Sequence, residues 1–255
     1  MPPIPFPISD LAVKRSADYP GRPTIVFLHD SLGCIPLWRD FPNQLGVTTR
    51  CNVLIYDRQG YGTSCGFTKP SRDNAYLEEE AAILDALLEQ YEISNAILFG
   101  HSDGGSIALL TAALYPSRIQ AVITEGAHVF VEDVTLEGIK EAITLYETTP
   151  LKAKLELYHG ANTEAMFWAW TKTWTSEAFR NWTIESFLPT IVCPLLIIQG
   201  EDDEYGTLDQ VSAIVTQTTG VAIPCILPGV KHTPHKEVPN LVLAEVASFL
   251  TSFGL

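Results

Sequence analysis

The chain has few cysteines, and their arrangement excludes several classes of protein. It has five cysteines in 255 residues. They are odd in number and widely spaced, and they form no CxxC motif. This usage argues against a disulfide framework or a zinc site and is typical of buried thiols in a reducing compartment. The sequence also lacks a metal-ligand cluster, a phosphate-binding loop and a dinucleotide fingerprint. We therefore expect no cofactor, no metal and a cytoplasmic protein.

Positive charge and long apolar runs are also scarce. The chain has 16 Lys and Arg against 30 Asp and Glu, a formal net charge of −14. A surface of this sign repels nucleic acid and anionic membranes, so neither is expected as a partner. The N-terminal stretch MPPIPFPISD lacks the features of a signal peptide, and no run reaches the length of a membrane span. A small-molecule partner remains, and the oligomeric state stays open.

Short apolar runs alternate with helical patterns along the chain. Continuous apolar runs at 24–29, 52–56 and 96–99 predict strands that are buried on both faces. Further strand-like runs lie at 121–126, 194–200 and 222–227. Helical apolar spacing predicts helices at 76–91, 105–116 and 238–253. Strands that alternate with helices are typical of an α/β fold with a mostly parallel, doubly wound sheet.

One block interrupts this alternation. Residues 131–188 contain no convincing strand but hold the helical stretches LEGIKEAITLYE and NTEAMFWAWTKTW. We interpret the block as a helical cap over the carboxyl ends of the strands, where open α/β sheets bind ligands. The alternative is a peripheral packing excursion. The predicted organisation is a core of residues 1–130 and 189–255 with the cap inserted between them.

The stretch AILFGHSDGGS supplies the first chemical signal. An apolar run is followed by Ser102, which has Gly100 and Gly104 two positions to either side, and then by a helical pattern. A sharp strand-to-helix turn requires such small residues, and it lifts the serine hydroxyl above the sheet beside the N–H groups of the helix. This context predicts a nucleophilic serine.

The chain resembles the α/β-hydrolases over nearly its whole length. The GHSDG segment is similar to their nucleophile elbow, residues 57–64 (DRQGYGTS) to their D-x-x-G-x-G-x-S loop, and His29-Asp30 to the place where they usually have His-Gly. The string SDGGSIALLTAALYPSRI is similar to the valacyclovir-hydrolase (biphenyl-hydrolase-like) group, and lactonases and esterases are further likenesses. The resemblance implies an α/β-hydrolase fold with an inserted helical cap.

A serine nucleophile needs a base and an acid. PGVKHTPHKEVP offers two histidines; the resemblance favours His232 as the base, and His235 is expected to pack nearby. In the acidic turn after PLLIIQG, the resemblance favours Asp203, three residues after the glycine, as the triad acid, with Asp202 as the alternative. The resemblance further implies an oxyanion hole formed by the backbone N–H groups of Ser31 and Asp103.

Substrate-binding residues are expected around the serine and in the cap. In the valacyclovir-hydrolase group, the aspartate after the serine holds the ammonium group of the substrate, so Asp103 is a candidate for amine-bearing esters; the alternative is that it braces the turn. The remaining candidates are Phe130, His128, Trp168, Trp170 and Trp174. The alternative for Trp168, Trp170 and Trp174 is that they pack in the core between cap and sheet. The alternative for His128 is a purely structural role.

These residues predict a serine esterase or lactonase, with an acyl-enzyme on Ser102. An aromatic pocket would suit a bulky or macrocyclic ester such as a macrolide. The alternatives are a carbon–carbon bond hydrolase of the meta-cleavage type, which would need basic pocket residues, and a small-ligand receptor with a retained triad. A serine at the elbow excludes haloalkane dehalogenases and soluble epoxide hydrolases, which need an aspartate there.

Overall fold

A seven-stranded sheet forms the centre of the molecule. The computed structural model describes residues 4–255; the first three residues of the predicted segment 1–130 and of the N-terminal stretch lie outside it. The strands are β1 (Val13–Ser16), β2 (Thr24–Leu28), β3 (Asn52–Tyr56), β4 (Ala96–His101), β5 (Ile119–Glu125), β6 (Leu195–Gly200) and β7 (Ala222–Leu227). Their order is β1-β3-β2-β4-β5-β6-β7, and only the pairing of β1 with β3 is antiparallel among the paired strands.

Helices cover both faces of this sheet. They are α1 (Phe41–Thr49), α2 (Tyr76–Gln90), α3 (Asp103–Leu114), α4 (Asp133–Thr148), α5 (Leu151–His159), α6 (Thr163–Trp174), α7 (Leu208–Gln217), α8 (Pro234–Glu237) and α9 (Pro239–Ser252). One core cluster packs the sheet against α2, α3 and α7, and a second packs it against α1 and α9. The predicted doubly wound α/β fold is confirmed.

The strands β2, β3, β4 and β6 are buried along their whole length because helices cover both sides. Between β5 and β6 the chain forms α4, α5 and α6, together with short 3₁₀ turns. No helix among residues 4–255 is long and apolar enough to cross a membrane.

The parallel sheet brings six chain segments to one edge. The carboxyl ends of β2, β3, β4, β5, β6 and β7 lead directly into the loops that begin at residues 29, 57, 102, 126, 201 and 228. Side chains on these loops come close together although they are far apart in sequence. In an open α/β sheet this is the edge at which ligands bind.

Candidate active site

Ser102 occupies the sharp turn between β4 and α3. Its φ of 56° and ψ of −121° lie in a region that non-glycine residues rarely adopt. A Cβ atom on Gly100 would lie 2.2 Å from the carbonyl oxygen of Gly104, and one on Gly104 would lie 2.1 Å from that of Leu28. These backbones can approach each other so closely only because both positions are glycine. The local sequence therefore fixes the place of the serine above the sheet.

His232 contacts Asp203 through a hydrogen bond between side chains. The Nδ1 atom of His232 lies 2.8 Å from Oδ1 and 2.9 Å from Oδ2 of Asp203. Asp202, the alternative acid, is exposed, whereas the side chain of Asp203 is 1% exposed. A donating Nδ1–H leaves Nε2 as the unprotonated nitrogen of a neutral ring. The geometry thus pairs His232 with Asp203 and orients the imidazole.

Three further donors hold the Asp203 carboxylate in place. The amide Nε2 of Gln199 donates to Oδ2 at 2.7 Å, and the backbone N–H groups of Tyr205 and Gly206 donate to Oδ1 at 2.8 and 3.3 Å. The carboxylate therefore keeps hydrogen-bond donors even without the imidazole. Such a fixed acceptor keeps the neighbouring ring in one orientation.

Burial and charge act in opposite directions on this pair. Burial alone would lower the pKa of His232, but the adjacent Asp203 carboxylate and its hydrogen bond raise that pKa above its ordinary value. Burial would likewise raise the pKa of Asp203, yet the interaction with His232 lowers it. The pair consequently favours an imidazolium next to an ionised carboxylate, which is the charge distribution that a general base acquires when it accepts a proton.

A cavity of about 240 Å³ lies at this edge of the sheet, beneath the helical insertion. Seven of the predicted residues line it: Ser31, Ser102, Asp103, His128, Trp170, Trp174 and His232. It is also lined by five residues that no sequence motif indicated: Leu32, Thr135, Ile139, Tyr205 and Thr233. Thr135 and Ile139 belong to α4, and the Thr135 hydroxyl donates to the carbonyl oxygen of Tyr205 at 2.6 Å. The insertion thus closes over the loop that carries Asp203.

Asp103 has a partner that the sequence did not reveal. Its Oδ2 lies 3.6 Å from Nη2 of Arg58 and accepts a hydrogen bond from the Tyr76 hydroxyl at 3.2 Å. The indole N–H of Trp174 in turn donates to the Tyr76 oxygen at 2.8 Å. The Arg58 side chain is fully buried, and its Nε and Nη1 atoms have no hydrogen-bond partner within residues 4–255. The Asp103 carboxylate therefore offsets a buried positive charge.

Asp30 replaces the glycine that is usual after the first histidine, and its side chain lines the cavity. The side chain is 25% exposed, and its Oδ2 lies 3.8 Å from Nδ1 of His101. Burial opposes ionisation, but His101 and Lys236 attract the carboxylate and lower the pKa of Asp30 to about 2. Asp30 thus adds a negative charge to the wall that holds Ser31.

His128 and His235 have different surroundings. Burial, with the nearby His232 as a second cause, lowers the pKa of His128 to about 4, so this ring on the cavity wall is neutral. His235 lies below the site, where its Nδ1 is 2.6 Å from Oε2 of Glu125; both side chains are buried. Its ring also packs on that of Trp38 at a centroid distance of 4.6 Å. Of the two candidate bases, only His232 lines the cavity.

Two predicted substrate-binding residues lie away from this cavity. Trp168 is on α6 with Trp170, but it lines a different cavity. Successive helical residues point about 100° apart, so Trp168 cannot share the face of Trp170 and Trp174. Phe130 lines neither cavity; its backbone pairs with Thr183, and its carbonyl oxygen accepts from Gln210.

Comparison with known proteins agrees with this architecture. Residues 23–183 match the family described as the alpha/beta hydrolase fold. The chain belongs to the α/β-hydrolase family. A crystal structure of MGS-M2, an alpha/beta hydrolase from a Medee basin deep-sea metagenome library, superposes with a TM-score of 0.77 at 21% identity, covering 96% of this chain and 94% of that one. The enol-lactonase from Burkholderia xenovorans LB400 gives a TM-score of 0.74 at 20% identity, covering 94% and 96%.

Similarity to curated sequences covers less of the molecule. The serine hydrolase BPHL of Homo sapiens is 31% identical over 163 residues, which are 59% of this chain and 53% of that protein. The Mus musculus protein of the same name is 28% identical over 73% of this chain and 65% of its own. The chain thus spans between about half and two-thirds of the length of these relatives. The predicted likeness to the biphenyl-hydrolase-like group is confirmed.

Proposed function

We propose that this protein hydrolyses carboxylic esters or lactones through an acyl-enzyme on Ser102. The observation that carries the proposal is the convergence of Ser102, the His232–Asp203 pair and the first N–H of α3 on one cavity. A strained serine that lines the same cavity as a histidine–carboxylate pair is an arrangement suited to acyl transfer. Similarity to named serine hydrolases supports the same chemistry.

The proposed reaction has two halves. His232 accepts the proton of Ser102 as Oγ attacks the carbonyl carbon, and the N–H groups of Ser31 and Asp103 stabilise the oxyanion. The carbon–oxygen bond to the alcohol then breaks as His232 returns the proton to the leaving oxygen. In the second half His232 takes a proton from water as the water oxygen attacks the acyl carbon. The bond between that carbon and Oγ of Ser102 then breaks, His232 returns the proton to Oγ, and the acid is released. In a lactone both products are parts of one hydroxy acid.

The size of the cavity favours small substrates. Its volume of about 240 Å³ lies below the roughly 300–1,000 Å³ of pockets that enclose drug-sized ligands. A macrolide would enter only if the helical insertion moved away from the sheet, so we favour small esters and lactones. Trp170, Trp174 and Ile139 would contact the apolar part of such a substrate.

Charge around the cavity distinguishes the remaining alternatives. Asp30, Asp103 and Glu204 line it, and among the described lining residues there is no Lys or Arg. Anionic substrates of meta-cleavage hydrolases would meet repulsion there. An ester with an amine is compatible with this lining, but Asp103 already interacts with Arg58. We therefore assign Asp103 first to balancing Arg58 and only second to holding an ammonium group.

Active-site labelling and turnover test the proposal together. A fluorophosphonate should form one covalent adduct on Ser102, and Ser102→Ala should lose both this adduct and hydrolysis of activated esters and simple lactones. Ser212→Ala, which changes an exposed serine on α7, is the matched control and should retain both. Full ester turnover by Ser102→Ala would refute the acyl-enzyme. Labelling without turnover of any ester or lactone would favour carbon–carbon cleavage or a receptor role.

A further inference from the structure

A second and larger cavity lies behind the helical insertion. Its volume is about 760 Å³, and its walls come from α2, α6, residues 66–72 and the N-terminal residues from Ile4 to Phe6. Tyr76 separates it from the candidate active site, because the ring of Tyr76 lines the larger cavity while its hydroxyl contacts Asp103 on the wall of the smaller one. A volume of this size falls within the range of small-molecule binding sites.

Much of the wall of the larger cavity is apolar. Trp168 on α6, Phe67, Ile83 and Phe6 provide large side chains, and Ala165 and Ala169 leave space beside them. Trp168 has no place in the smaller cavity, so this aromatic side chain serves a different surface. A cavity wall of this composition suits the apolar body of a ligand.

The charged residues on this wall are unequally paired. Lys69 is paired with Glu79, and Glu164 is paired with Lys152. Burial raises the pKa of Glu80, although the positive charges of Arg58 and Arg72 oppose this shift.

Two cations are left after this pairing. Neither Arg72 nor Lys172 has a carboxylate within 4 Å in residues 4–255. Arg72 is held firmly, since its Nη2 donates to the Tyr61 hydroxyl at 2.7 Å and its guanidinium lies 4.6 Å from the centroid of the Tyr76 ring. Its Nη1 is buried and has no hydrogen-bond partner among the described residues. An ordered guanidinium with an unused donor is a suitable partner for a carboxylate.

We propose that the larger cavity is a binding site for apolar monocarboxylates, whose carboxylate pairs with Arg72 and whose hydrocarbon body packs on Trp168. Lys172, which lies 5.4 Å from the Trp168 ring, adds a second positive charge at the same wall. The site is independent of the proposed hydrolysis because it contains neither Ser102 nor His232.

Calorimetric titration of the full chain with octanoate tests this site, with octanamide as the uncharged ligand of the same shape. Octanoate should bind, and octanamide should bind at least about tenfold more weakly, the factor expected for loss of a charge-assisted hydrogen bond. Arg72→Gln should weaken octanoate by a similar factor, and Arg72→Lys should restore part of the affinity. Lys140→Gln, an exposed change on α4, is the matched control and should leave the affinity unchanged.

A second variant and a mapping experiment locate the ligand. Ala169→Trp fills the cavity without touching a charge and should abolish binding even if Arg72→Gln fails to fold. A diazirine-bearing medium-chain carboxylate should label peptides that contain residues 66–83 and 162–173. Labelling confined to residues 128–139 or 204–205 would place the ligand in the smaller cavity and overturn the proposal. Absence of octanoate binding, or equal binding of octanamide, would also overturn it.

Discussion

His232 and His235 lie three positions apart in sequence, but their replacement by alanine should affect different properties. His235→Ala should lower the stability of the fold, whereas His232→Ala should lower turnover. His235→Ala removes the partner of Glu125 Oε2, and Oε1 of Glu125 already lacks a hydrogen bond among the described residues. The change therefore leaves a buried carboxyl group with no partner. His232→Ala leaves Asp203 with the donors from Gln199, Tyr205 and Gly206. Only His235→Ala leaves a buried polar group without a hydrogen-bond partner.

The size of each effect follows from these partners. Removal of one member of a buried pair costs about 3–5 kcal/mol. One kcal/mol shifts the Tm of a chain of this length by roughly 2–4 °C, so His235→Ala should lower Tm by roughly 6–20 °C. His232→Ala loses one hydrogen bond to a charged group, about 1.5–3 kcal/mol, and much of this should be recovered by the remaining donors. Its turnover should fall by on the order of 10⁶-fold, as expected for loss of the base of a triad.

Thermal unfolding followed by circular dichroism and kcat/KM for an activated ester measure the two effects on the same samples. Each variant controls for the other, and Glu125→Gln, which keeps an oxygen acceptor for the Nδ1–H of His235, should lose less stability than His235→Ala. A His235→Ala protein with wild-type Tm would refute the structural role of the Glu125 pair. Loss of turnover in folded His235→Ala with retention in His232→Ala would reverse the assignment of the base.

Three further outcomes follow from the geometry of the elbow and the pair. Gly104→Ala should prevent folding or cost several kcal/mol, because its Cβ would lie 2.1 Å from the carbonyl oxygen of Leu28. Gly66→Ala should be tolerated, because its Cβ would meet nothing closer than 3.6 Å. The free energies of unfolding in urea compare the two variants. Ser102→Gly should be more stable than Ser102→Ala by about 1 kcal/mol in the same assay, since glycine relieves the positive φ of 56°; equal stabilities would argue against backbone strain. In pH–rate profiles, turnover should rise as pH increases through the raised pKa of His232, because the imidazole must be neutral to act as a base. Asp203→Asn removes the attraction that raises this pKa, so the rise should move to lower pH while the maximum rate falls. An unmoved profile would contradict the coupling between the two side chains.

Six strands were predicted from apolar runs, the four completely buried ones and also β5 and β7, although three of the six residues of β7 are exposed. Apolar runs identified β2, β3, β4 and β6 because both faces of each strand pack on helices. β1 (Val13–Ser16) was not predicted, since it is a short edge strand whose central residues are exposed charges. α1 was also missed, because FPNQLGVTT combines weak amphipathicity with a glycine and two β-branched threonines.

Some residues of the candidate site could be predicted from local sequence motifs, whereas other features depend on contacts between segments that are distant in sequence. Ser102, Asp203 and His232 stand at the ends of strands or in the loops that follow, so a motif and the chain order could indicate them. The interaction of Arg58 with Asp103 could not be found, because it joins the ends of two different strands. The position of Trp168 was available from helical geometry, since 167, 170 and 174 share a face that excludes it. The depth of the cavity depended on packing of α4 against the loop at 203–206, for which the sequence has no local signal.

The Arg58–Asp103 interaction also decides how an amine preference must be tested. Asp103→Asn would leave the buried Arg58 guanidinium without its carboxylate, and loss of a buried partner destabilises whatever the substrate is. Lower turnover by this variant therefore says nothing about recognition of an ammonium group. The informative quantity is the ratio of kcat/KM for an amine-bearing ester to that for a neutral ester of the same shape, because damage to the fold lowers both rates together. If Asp103 holds the amine, Asp103→Asn should reduce this ratio at least about tenfold, the effect of losing a charge-assisted hydrogen bond; if it only balances Arg58, both rates should fall and the ratio should stay constant.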